Sequence, residues 1–99
     1  MGTATSIKLP AVYASLEWHE RREVRNEYVS RQKGMCSHCG APLSSEPPES
    51  ITLLPIKWRL FPENFRKYPV HLHHDHASGM TIGAVHSYCN AVLWQYHGE

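Results

Sequence analysis

The stretch HLHHDHASGMTIGAVHSYCN, residues 71–90, packs five histidines, an aspartate, a cysteine and an asparagine into twenty positions and holds no lysine or arginine. Imidazole, carboxylate, thiolate and amide are the groups that bind metal ions and move protons. Two donor sets separate by spacing. His86-Ser87-Tyr88-Cys89 repeats the two-residue interval of Cys36-Ser37-His38-Cys39. A turn of that length lets both thiolates of a pair, and the backbone amides between them, face one ion. Together Cys36, Cys39, His86 and Cys89 make a Cys3His tetrahedral set with no position open for water, the form of a structural zinc site. The competing accounts are a buried Cys89 thiol beside a hydrogen-bonded core His86, and His38 as the fourth ligand. Three cysteines cannot form a closed disulfide set, and the C-x-x-C spacing favours metal binding in a reducing compartment.

Once that set is removed, His71, His73, His74, Asp75, His76 and Asn90 are left over. Side chains alternate across a strand, so His71, His73 and Asp75 would point one way and His74 and His76 the other, unless the strand is bulged or strongly twisted. A strand end beside a helix N-terminus can bring His73, His74 and Asn90 around one phosphate-sized space, which is an active-site geometry.

The run CSHCG, about thirty residues of connection, then HHDHASGMTIGAVHSYCNAVL resembles the HNH (ββα-metal) endonucleases, most closely the zinc-bearing phage recombination endonuclease VII group. The match spans Cys36 to Leu93 and keeps the interval from the HHDH run to the second ligand pair, with Asn directly after the final Cys. The resemblance implies that Cys36, Cys39, His86 and Cys89 hold zinc, with His86 where the family usually has Cys. It puts His73 on the first ligand of a catalytic divalent ion, Asn90 on the second, His74 on the general base and His76 beside the scissile phosphate. The implied activity is metal-dependent hydrolysis of DNA phosphodiester bonds, with nicking natural for one site and products bearing 5′-phosphate and 3′-hydroxyl ends. An imidazole plus an amide oxygen is less hard than the carboxylates Mg²⁺ prefers, so Mn²⁺ is favoured over Mg²⁺, with Co²⁺ or Ni²⁺ possible. Asp75 is expected to support the hairpin or the site's surroundings. Ile82 stands where the family has Arg, so that phosphate contact must come from the N-terminal helix or the connection. His97 shares a helical face with Asn90 but sits at a chain end, and Trp94 is expected in the core.

The elements that must position these groups follow from periodicity and punctuation. Residues 1–14 read as an arm, and residues 15–34 as a helix with Ser15 as N-cap and Gly34 at its close. Its apolar positions, Leu16, Val24, Tyr28 and with them Trp18 and Val29, form a broad stripe. Its arginine-rich face is either solvated, with Glu17–Arg21 and Glu27–Arg31 pairs, or turned to phosphate. Residues 41–69 form a proline-rich connection in which ITLLPIKWRLF, broken by Pro55, is an edge strand or extended loop. Its Trp58, Leu60, Phe61 and Phe65 are expected to cover the core. Then VHLHHDH, a turn at ASG, and MTIGAV read as two antiparallel strands. SYCNAVLWQYHG follows as a short helix with Val92, Leu93 and Tyr96 packing inward. The fold class is α+β, one small domain over 1–99. Within it an N-terminal helix precedes a zinc-knuckle-supported ββα region at residues 35–93, the ββα-metal motif of the resemblance.

Composition bounds the rest. At 41% hydrophobic and 19% charged the chain is of an ordinary globular class, which excludes disordered and fibrous ones. No apolar run approaches the roughly 20 residues of a membrane span, and the first residues lack a signal peptide's apolar core. The expectation is a cytoplasmic protein, bacterial or phage-encoded, with DNA as partner, no membrane, no organic cofactor and a monomeric state. Net charge is only +1, yet all ten Lys and Arg fall between Lys8 and Lys67. That distribution puts a basic region beside a histidine-rich one, with Arg21, Arg22, Arg25, Arg66 and Lys67 as candidate DNA contacts. The competing function is a zinc-stabilised DNA-binding module without catalysis.

Overall fold

The computed structural model describes residues 7–98, so the first six positions of the expected arm lie outside the described residues. Helix α1 (Trp18–Arg31) is followed by a one-turn helix α2 (Glu49–Thr52), strands β1 (Val70–His74) and β2 (Thr81–His86), and helix α3 (Ser87–His97). Short 3-10 turns occupy Tyr13–Ser15, Trp58–Leu60 and Phe65–Lys67. The architecture is α+β, with a two-stranded antiparallel sheet packed against α1 and α3.

The hairpin keeps one register from Val70 opposite His86 to His73 opposite Gly83, then slips so that His74 faces Thr81. Ile82 is the extra residue of this bulge, which adds local twist just where the histidine run ends. The turn that follows is built by Asp75. Its carboxylate accepts the Ser78 N–H at 3.0 Å, and its carbonyl accepts the Gly79 N–H at 2.7 Å. Gly79 takes the left-handed φ of +75° that closes it. Asp75 therefore has the hairpin-supporting part, and hydrogen bonding from Ser78, its side chain first and its backbone N–H second, holds the carboxyl below the usual carboxylate range.

A two-stranded sheet is marginal alone, and the outer edge of β2 is accordingly filled. Residues 11–13 run along it: Thr81 N–H donates to the Ala11 carbonyl at 2.8 Å and Tyr13 N–H to the Gly79 carbonyl at 2.9 Å. The outer part of the expected arm is thus docked on the sheet. Further along, the Gln32 side-chain amide imitates a strand. Its Oε1 accepts the Ala84 N–H and its Nε2 donates to the Ala84 carbonyl, both at 2.9 Å.

Helix α1 starts later than Ser15. Glu17 is the N-cap, with Glu20 completing a capping box, because a carboxylate there satisfies first-turn amides and the helix dipole together. The Ser15 hydroxyl instead donates to the Val12 carbonyl. At the other end Gly34 N–H donates to the Val29 carbonyl at 2.8 Å, and Lys33 as well as Gly34 takes a left-handed φ. Only Val24 of the helix is buried, so the apolar stripe is narrower than its spacing suggests. The core lies instead around Val85, Val92, Leu93, Leu43 and Ile51, together with Cys36 and Cys89. In the connection, Pro48 opens α2, and residues 55–57 are pinned to α3 by Gln95, which accepts the Lys57 N–H and donates to the Pro55 carbonyl, both at 2.9 Å. No ladder forms there, so the edge-strand expectation gives way to turns; Pro55 lacks the N–H that a ladder needs.

Gln32→Ala removes the partner of the buried Ala84 N–H, while the Ala84 carbonyl keeps the Ser37 N–H, and should cost about 2 kcal/mol, the size of leaving a buried amide unmatched. Urea unfolding at neutral pH measures it; a loss below about 0.5 kcal/mol would mean water takes over the edge.

Candidate functional site

Cys36, Cys39, His86 and Cys89 bring one donor atom each to within 4.8 Å of one another. The first pair sits on a turn closed by Gly40 N–H to the Cys36 carbonyl at 3.0 Å, with Gly40 at a φ of +78°. Backbone N–H groups of His38 and Cys39 point at Cys36 Sγ from 3.4 and 3.5 Å. The second pair straddles the β2–α3 junction, where His86 ends the strand and Cys89 lies in the first turn of the helix.

The donor set fits zinc. Zinc with sulfur at about 2.3 Å and imidazole nitrogen at about 2.0 Å in tetrahedral geometry requires S···N of about 3.5 Å. His86 Nδ1 stands 3.5 Å from Cys39 Sγ and 3.7 Å from Cys89 Sγ. Its other nitrogen, Nε2, lies 2.9 Å from both the Pro42 and Ser45 carbonyls, so Nε2 carries the proton and Nδ1 is left bare for an ion. Cys36 and Cys89 share one proton between them. The Cys36 thiol is pulled well down, first by the hydrogen bond from Cys89 against the opposing effect of burial. Cys89 is pushed up, first by that hydrogen bond, then by burial and the Cys36 charge. Both can be thiolates together only with a cation between them, a charge that a divalent ion would supply. His38 is not in the cluster: its exposed ring tilts toward His97 with centroids 6.2 Å apart.

The remaining histidines line an open cleft of about 560 Å³ between α1, β1, α3 and the connection. His71, His73, His74, His76 and Asn90 all border it, along with Arg21 and Arg25 from α1. Among the described residues no carboxylate lines it. The bulge at Ile82 lies beside His73 and His74, which share the cleft although simple alternation would part them. His73 is buried and His76 is exposed.

His71 has a part the spacing gave no sign of. Its Nε2–H donates to the Phe65 carbonyl at 2.8 Å, which leaves Nδ1 to accept from Asn90 Nδ2 at 3.1 Å. With its NH2 spent on His71, the Asn90 amide turns its oxygen away from that ring. Burial is the first cause that keeps the His71 imidazole below its ordinary value, so it stays neutral. His74 is lowered likewise, by burial first and then by repulsion from His76, His73 and Arg21. Tyr13 stacks flat on His74, centroids 3.9 Å apart at 12°, and the Arg21 guanidinium lies 4.1 Å over the Tyr13 ring.

Other expected contacts lie elsewhere. Arg22 sits over Trp18, Arg66 over Trp58, and Lys67 beside Tyr68, all off the cleft. The reason is the aromatic side chains of the connection and of the start of α1, which hold the neighbouring cations locally. Glu27–Arg31 forms the expected pair at 2.8 Å, but Arg21 leaves Glu17 for Tyr13. Trp94 is 44% exposed on the cleft wall, not core, because Phe61 and Phe65 occupy the space it would fill. Tyr96 is equally exposed, its hydroxyl reaching the Pro55 carbonyl at 2.5 Å. His97 does not border the cleft.

Comparison with protein-family models, with curated proteins and with solved structures gives no match. The ββα arrangement with its Cys3His cluster is compatible with a zinc-containing HNH-type fold on geometry. No helix among the described residues is long and apolar enough to cross a membrane.

Elemental analysis of the purified chain should find one zinc per chain, and Cys89→Ser should lose it together with the cooperative unfolding transition. Zinc retained in Cys89→Ser would remove this residue from the set. A second measurement concerns His71. Since its folded form resists protonation, the unfolded chain binds the extra proton below about pH 6.5, and stability falls as pH drops through that value. His71→Gln should flatten the slope of urea midpoints between pH 7 and 5.5 relative to wild type; zinc loss, common to both, cancels in the comparison.

Proposed function

We propose that the chain is a metal-dependent DNA endonuclease of the HNH type that nicks phosphodiester bonds. The observation that carries this reading is the cleft itself: His73, His74 and Asn90 border one open space with two arginines and, among the described residues, no carboxylate, beside a Cys3His cluster that joins the turn after α1 to the β2–α3 junction. That combination suits a polyanion and suits proton transfer at its backbone.

A phosphodiester resists attack because its charge repels nucleophiles, so the site must neutralise charge and remove a proton from water. His73 and the Asn90 amide oxygen would hold a divalent cation that supplies the charge neutralisation at the phosphate. His74, neutral near pH 7 because burial and neighbouring positive charge oppose its protonation, accepts the proton of the attacking water. Tyr13 holds the imidazole plane by stacking. The water oxygen bonds to phosphorus as the bond to the 3′-oxygen breaks; that oxygen takes a proton from solvent and leaves as a 3′-hydroxyl, the phosphate stays on the 5′ end, and His74 returns its proton to solvent. Arg21, whose Nε is buried without a hydrogen-bond partner, and Arg25 supply the phosphate contact that Ile82 cannot. His76, edge-on to His74 with centroids at 4.9 Å, stands near the same phosphate. One such site cuts one strand, so the monomer nicks.

Supercoiled plasmid should be converted to the open circle with Mn²⁺, more slowly with Mg²⁺, and not at all with a chelator in place of added metal. His74→Ala should lower the rate by about 10²–10⁴ while zinc content and DNA binding persist. The wild-type rate should be level above about pH 6.5 and fall below it as His74 becomes protonated. Absence of cleavage of any DNA form with several metals, with DNA binding intact, would favour a zinc-stabilised binding module.

A further inference from the structure

Beside the histidines the cleft is walled by aromatic side chains, and it is open. Trp94 packs T-shaped on Phe61 with centroids at 5.2 Å, Phe61 on Phe65 at 4.8 Å, and Phe65 on His71 at 4.6 Å. These rings brace one another, so Trp94 is held in place even though 44% of it is exposed. Tyr68, 57% exposed, borders the same cleft. Surface this apolar beside Arg21 and Arg25, with no carboxylate lining the cleft among the described residues, fits an anion that also carries flat apolar faces.

Nucleotides have that chemistry, and the form of the nucleic acid decides whether the faces are available. In a duplex the bases stack on each other and present only their edges to the grooves, so an aromatic wall gains little from it. In an unpaired strand each base offers a face to a ring. Spacing along α3 agrees: Trp94 follows Asn90 by four residues, on the same face of the helix and about 6 Å along its axis. A phosphate at Asn90 therefore places an adjoining base within reach of Trp94.

We infer that the cleft takes a single-stranded DNA segment, with its phosphate held by Arg21 and Arg25 beside Asn90 and a neighbouring base stacked on Trp94. This substrate class rests on the endonuclease reading, but its test does not depend on cleavage. Fluorescence anisotropy of a labelled 12-mer of thymidylate and of a 12-base-pair duplex, with zinc-loaded protein and no added second metal, gives both affinities at one salt concentration. The single strand should bind at least about tenfold tighter; Trp94→Ala should lose about tenfold for the strand and little for the duplex, and Trp94→Phe should restore most of it, as for one stacked base. Zinc content and the unfolding midpoint check that both variants are folded. Equal or tighter duplex binding, or equal losses on both ligands, overturns the inference, as does a Trp94-dependent dimer in light scattering, which would give the wall to a second copy of the chain. Plasmid nicking without strand preference sinks this inference and spares the endonuclease, whereas Trp94-dependent strand binding without cleavage under any metal does the reverse.

Discussion

The convergence of Cys36 and Cys39 with His86 and Cys89 is the constraint on which the rest of the structure depends. It joins the turn after α1 to the junction of β2 and α3 across almost half the chain. The surrounding core is thin, with Val85 and Cys89 the largest side chains fully buried. Apolar packing of this extent gives little surplus over conformational entropy in a small domain. Buried thiols offer weak hydrogen bonds in return for their desolvation, so the cluster is a net cost without an ion and a cross-link with one.

The hairpin divides its labour between its edges. Along β2 the outer edge is taken by residues 11–13 and by the Gln32 amide, which reaches from the end of α1, and Ser37 of the knuckle adds an N–H to the Ala84 carbonyl at 3.1 Å. The cleft is bordered by β1 instead, whose five residues all line it. Gly83, opposite His73, shows why the β2 side is closed to other uses: a Cβ there would meet Gln32 Oε1 and Ser37 Oγ at 2.8 Å. Support is gathered on β2, and β1 is left to border the open cleft.

How much of this was legible in the sequence depended on the range of the interaction concerned. The ligand pairs were readable because metal donors are few in kind and each pair is set by a local turn. The ββα order followed from the change of hydrophobic period between residues 70 and 97. What escaped was nonlocal. The bulge at Ile82 depends on how two strands meet, and the role of His71 on a carbonyl at residue 65 and an amide at residue 90. Arg66 and Arg21 have the same charge and similar neighbours in sequence, yet only Arg21 reaches the cleft, because Arg66 lies over Trp58. The aromatic residues of the connection read as core cover, but with turns where an edge strand or extended loop was expected, Phe61 and Phe65 line a wall of the cleft instead.

Cys89 and Asn90 are consecutive on α3, and this adjacency ties the two sites together. Neighbouring helical residues point about 100° apart, so one rotation of the helix decides both directions at once. Cys89 is wholly buried in the cluster, which fixes that rotation, and Asn90 is thereby aimed at the cleft, where His71 completes its orientation. His86 does the same for the strand, since its Nδ1 is in the cluster while its register with Val70 sets the pairing that carries His73 and His74 to the bulge. A structural ion held at this junction would therefore do more than stabilise. By holding both the strand and the helix that border the cleft, it would set the geometry between His73, His74 and Asn90, which a two-stranded hairpin could not hold unaided.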